Sequence, residues 1–153
     1  MTIIYKILSI ILNMAGIFLA ICLLVSIPLL LASPLNMLSA FMLVCIVLYA
    51  FFSARFQRQV LQRQQVVKPS LRDWIRVNGF VSLFYSVVII LGMLMYLKQP
   101  QPLTERLQQM QINVPASTVT TMLTGLLVFG IVLLVHILWT LALVRKNREY
   151  FQT

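Results

Sequence analysis

Four uninterrupted apolar runs constrain this chain more than any other feature. They extend over 7–31, 35–54, 79–97 and 122–144, and none contains an Asp, Glu, Lys or Arg. About 20 helical residues cross a hydrocarbon core about 30 Å thick, so each run is long enough to span a membrane. In lipid a spanning segment must satisfy its own backbone hydrogen bonds, which leaves helices or closed barrels, and these runs lack the two-residue alternation of barrel strands. The sequence therefore predicts an all-α, polytopic membrane protein. It is a single integral membrane domain over 1–153, with four transmembrane helices in a bundle, one connector at 55–78 and another at 98–121. Composition closes off the soluble alternative, because only 10% of the residues are charged and 61% are hydrophobic, against roughly 25% charged in a soluble domain.

The first run resembles a signal peptide only superficially. Its apolar stretch is too long for such a core, and no small-x-small cleavage pattern follows it. Leu19-Ala20-Ile21-Cys22 echoes a lipobox, but with Ile21 where a small residue belongs. An uncleaved first helix is expected.

Charge sets the orientation. The net charge of +9 would suggest nucleic-acid binding in a soluble protein, but in a membrane protein a basic excess records which side each connector occupies, and no nucleic-acid partner is expected. Lys6, Arg55, Arg58, Arg63, Lys68, Arg72, Arg76, Arg145, Lys146 and Arg148 fall on one side, and Lys98 and Arg106 on the other. The positive-inside rule then puts both termini and the 55–78 connector in the cytoplasm of a multi-pass cell-membrane protein, and the 98–121 connector outside.

Within the connectors, Pro28 and Pro34 predict a tight hairpin between the first two spans. The residues from Arg55 to Arg63 favour helix and should prolong the second span until Pro69 stops it. Ser70 and Asp73 have capping-box spacing ahead of Leu71, Trp74 and Ile75 on one face, which predicts a short interfacial helix. A second such helix is expected after Pro100 and Pro102, with Thr104 as its cap and Leu103, Leu107 and Met110 on one face. Tyr5, Trp74, Tyr96 and Trp139 lie near span ends, as interfacial aromatics do.

Chemistry is sparse. Size invites comparison with the small multidrug transporters, but their first-helix glutamate is matched here by Asn13, which cannot titrate, so that resemblance fails. The polar and small residues in the spans are instead read as helix-packing surfaces: Ser9, Asn13, Gly16 and Ala20 in the first span, Gly79, Ser82 and Ser86 in the third, and Gly125 in the fourth. His136, the one histidine, shares a helical face with Gly125, Val132 and Thr140 and should look into the bundle. Cys22 and Cys45 lie at matching distances from the first hairpin, so Cys22, Cys45 and His136 form a geometrically permitted metal set. They carry no ligand-spacing signature, and a structural histidine that bonds across helices is the expectation.

No metal, cofactor or catalytic residue is assigned, since Asp73, Glu105 and Glu149 are scattered and no phosphate-binding loop is present. Arg58, Arg63, Lys68 and Trp74 in the 55–78 connector mark a docking surface for anionic lipid or a membrane-protein partner. The functional expectation is a non-enzymatic accessory or interaction subunit that packs with itself as a homo-oligomer, or with a larger membrane complex. The alternative is an oligomeric small-solute transporter or channel without a titratable intramembrane carboxylate.

Overall fold

The computed structural model describes residues 3–30, 33–99, 101, 103, 105 and 114–152. Four long helices dominate it: α1 (Ile3–Leu30), α2 (Pro34–Phe56), α3 (Pro69–Lys98) and α4 (Ala116–Lys146). All four are long and apolar enough to cross a membrane. Each helix packs against the next in the chain, and α4 closes the circuit against α1, which makes an up-and-down bundle. The large apolar side chains divide accordingly. Leu12, Ile46, Ile75, Leu133 and Ile137 point inward and are fully or almost fully buried, while Ile10, Phe18, Phe41, Phe84, Leu91 and Leu138 stand exposed around the outside, as lipid contact requires.

Every helix begins before its apolar run, because a helix continues into water while a hydropathy signal stops. Ser33 caps α2, its hydroxyl accepting from the Asn36 backbone N–H at 3.2 Å, with Pro34 in the first turn. At its other end α2 passes directly into a π-helical segment, Gln57–Gln62. Gln64 ends that segment in the left-handed region at φ 50°, and its N–H donates to the Val60 carbonyl at 3.1 Å. The second span is thus prolonged as its sequence suggests, but it stops at Gln62 rather than at Pro69.

Pro69 instead opens α3. The residues expected to form a separate short helix, Ser70 to Ile75, are the first turns of α3 itself, which runs unbroken to Lys98. The Ser70–Asp73 capping box does not form: the cap position is Lys68, without a side-chain bond, and the Asp73 carboxylate accepts from Arg72 Nε at 3.1 Å. Helix propensity and the proline at its first position suffice to start α3. The second interfacial helix falls at Leu103, Thr104, Leu107 and Met110, of which only Leu103 is among the described residues.

The basic end of the bundle is closed by the segment that follows α4. A 3₁₀ turn, Arg148–Tyr150, brings Phe151 onto Phe56, ring centroids 5.9 Å apart and planes 15° from parallel. The Val67 N–H donates to the Tyr150 carbonyl at 2.8 Å, a single parallel bridge. Phe56, Val60, Leu71, Ile75, Val144 and Phe151 thereby extend the intramembrane core into the connector.

Candidate functional site

Helical spacing brings a polar cluster to one level of the bundle. Tyr5 and Ser9 are one turn apart on α1, His136 and Thr140 one turn apart on α4, and Tyr49 reaches in from α2. The Ser9 hydroxyl lies 2.8 Å from His136 Nε2, and the Tyr49 hydroxyl 2.8 Å from Nδ1. Thr140 Oγ1 sits 3.4 Å from the same Nδ1 and 3.0 Å from the Tyr5 hydroxyl. Tyr5 stacks on the imidazole at 5.1 Å and 8°, and Tyr49 meets it edge-on at 5.8 Å and 78°. Tyr5, Tyr49, His136 and Thr140 have no exposed surface, and Ser9 has 4%.

A neutral imidazole offers one donor and one acceptor, and each surrounding hydroxyl can serve in either role, so both tautomers find partners here. The cluster ties α1, α2 and α4 together. It leaves neither ring nitrogen open to a solute or a metal. His136 does look into the bundle and bonds across helices.

The metal set of Cys22, Cys45 and His136 does not assemble. Cys22 is exposed and Cys45 buried, and the helix rises about 20 Å between Ser9, the residue level with the imidazole, and Cys22. Equal distance from the hairpin did not bring the cysteines to the histidine, because His136 packs beside the first turns of α1 rather than its middle. Among the described residues, no group of three or more His, Cys, Asp or Glu side chains is placed to hold a metal ion.

The packing residues divide by face. Gly16 is at the tightest crossing: a Cβ built there would lie 2.8 Å from Ala50 Cβ. Gly79 accommodates the Tyr49 ring, and Ser82 and Ser86 are buried on the same side of α3. Ser86 donates to the Leu83 carbonyl at 2.7 Å, whereas the Ser82 hydroxyl has no hydrogen-bond partner among the described residues. Asn13 and Ala20 are only half-buried, on the flank of the α1 seam that Tyr5, Leu12 and Gly16 define. Gly125 faces outward with nothing near it, so it does not share the inward face of His136. The close α3–α4 approach is made at Gly130 instead, where a Cβ would meet Ile89 and Ile90 at 3.1 Å.

The connector residues occupy two clefts rather than one patch. Lys68 and Trp74 line a cleft of about 440 Å³ between α2 and α3 with Phe52, Arg55 and Gln59. There the Phe52 and Trp74 rings stack at 5.5 Å, and Arg55 Nε donates to Gln59 Oε1 at 3.0 Å. Arg58 lines a second cleft, between α1 and α2, and Arg63 stands exposed at the end of the π segment.

Sequence reasoning missed Tyr5 and Tyr49. Tyr5 reads as an interfacial aromatic because it lies near a span end, but its hydroxyl is claimed by Thr140. The available signals were the Tyr5–Ser9 and His136–Thr140 spacings, each of which puts two polar tips on one helix face.

No protein-family model, no curated protein and no solved structure matches this chain.

Proposed function

We propose that this protein is an accessory or interaction subunit of a membrane, acting through its outer surfaces and packing with itself or with a larger membrane complex. Its orientation in this reading has both termini and the 55–78 connector in the cytoplasm, on the strength of ten basic residues at one end of the bundle and two in the opposite connector. The observation that carries the proposal is the saturation of the histidine cluster: both ring nitrogens of His136 are occupied by hydroxyls of the same chain. Ion and proton carriers expose a titratable group to a path within the membrane, and here the titratable ring is sealed.

What the protein leaves open lies at its basic end. The α2–α3 cleft combines an exposed Trp74 with Arg55 and Lys68, a pairing of aromatic and cationic side chains that suits a protein interface. Gentle extraction from source membranes, followed by native mass measurement, should return an assembly of fixed stoichiometry. Purified protein in liposomes should conduct no solute or ion above empty vesicles. Specific flux from the purified protein would overturn the proposal in favour of an oligomeric transporter or channel.

A further inference from the structure

The cleft between α1 and α2 gathers polar side chains from both helices. Lys6, Ser9, Ile10 and Asn13 form one wall and Ala54, Gln57, Arg58 and Gln62 the other, around about 250 Å³. Two cations, three amides and a hydroxyl converge there, and no carboxylate lines it. At this end of the bundle Arg72 is paired with Asp73 and Arg55 bonds Gln59. Among the described residues, Lys6 and Arg58 form no ion pair.

The amides add directional donors. Among the described residues the Gln57 and Asn13 side chains form no hydrogen bond, and neither amide is sealed off, so both are open to the cleft. Their N–H groups are available to a group from outside the chain. Amide donors beside two cations select a group with several acceptor oxygens and negative charge.

The cleft also has an apolar exit. Ile10 is at its wall, and Ile3, Ile7 and Ile10 are exposed along the same helix. Lys6 and Arg58 flank the spans at the level where headgroups sit. We propose that this cleft binds the phosphate group of an anionic phospholipid, with Lys6 and Arg58 supplying charge, Asn13 and Gln57 donating to the phosphate oxygens, and the acyl chains lying along the isoleucine face of α1. A free phosphate ion would use the same polar groups but gain nothing from that face. Because Ser9 forms part of the wall and also bonds His136, the bound headgroup lies beside the hydrogen bonds that tie α1 to α4.

The test is native mass spectrometry of the full chain in detergent, titrated with phosphatidylglycerol, with phosphatidylcholine, or with inorganic phosphate. Wild type should bind phosphatidylglycerol in preference to phosphatidylcholine. Lys6→Gln with Arg58→Gln should weaken phosphatidylglycerol binding by about thirtyfold, while Arg145→Gln with Arg148→Gln, an equal loss of charge elsewhere, should change it by less than about threefold. Gln57→Leu should weaken it by about tenfold without lowering thermal stability, since among the described residues that amide bonds nothing. Equal losses in the two double variants would reduce the effect to bulk charge and overturn the site. Unchanged binding in Lys6→Gln with Arg58→Gln would overturn it as well. Inorganic phosphate binding as tightly as the lipid would assign the cleft to a free anion and overturn the lipid proposal.

Discussion

Ser9 and His136, 127 positions apart in the chain, are joined by a 2.8 Å contact between a hydroxyl oxygen and Nε2 in the closed interior of the bundle. That contact and its counterpart from Tyr49 occupy both ring nitrogens of the histidine from within the chain. Ser9→Ala should lower stability by about 1–2 kcal/mol, within the range for interhelical hydrogen bonds in membranes and for leaving a buried polar atom unpaired. In a His136→Leu background the same change should cost less than about 0.5 kcal/mol, since the partner is already gone. Thermal unfolding in detergent measures both. An equal cost in the two backgrounds would mean that Ser9 does not act through His136.

Two glycines separate the inner seam from the outer surface. Gly16→Ala puts a Cβ 2.8 Å from Ala50 Cβ, neither of which can rotate away, so α1 and α2 must shift, at about 1–3 kcal/mol. Gly125→Ala meets nothing within 4 Å and should be neutral or stabilising by up to about 1 kcal/mol through helix propensity. The same unfolding measurement ranks them, and comparable losses at both would contradict the described seam.

The aromatic contact at the basic end makes its own prediction. Phe151 is 6% exposed and stacks on Phe56, so Phe151→Ala should cost about 3 kcal/mol. Release of the Val67–Tyr150 bridge should also expose the connector, and limited proteolysis should then cut between Gln62 and Pro69 faster than in wild type. Unchanged cutting would show that the connector holds its form without the segment after α4.

Ser82 makes a prediction of the opposite sign. Its hydroxyl is buried with no hydrogen-bond partner among the described residues, so Ser82→Ala removes a cost rather than a contact and should leave stability unchanged or raise it by about 1 kcal/mol. A loss above about 1 kcal/mol would reveal a partner for that hydroxyl.

Much of this architecture was legible in the residues because lipid imposes one requirement on every span. The four apolar runs led directly to α1–α4 and their order, and Pro34 to the start of α2, whereas Pro28 lies within α1 instead of ending it. The boundaries were less legible, since α3 starts ten residues before the apolar run at Gly79: Pro69 is as good a helix opener as a stopper, and sequence alone does not distinguish the two roles. Packing stripes were legible where a single contact decided them, as at Gly16, and illegible at Gly125, whose face depends on which of two neighbouring helical rows follows the seam. The histidine cluster was half legible. His136 and Thr140 share a face by spacing, but their partners on α1 and α2 depend on the vertical register of helices, which loop lengths do not specify to within a turn.

Action by contact is tested most directly at Trp74 in the α2–α3 cleft. A photoreactive residue at position 74, activated in source membranes, should produce adducts of discrete mass with another polypeptide or with a second copy of this chain. The same probe at the fully buried position 133 should produce none. If position 74 yields no protein adduct while the purified protein carries a solute across liposomes, the interaction-subunit account is contradicted.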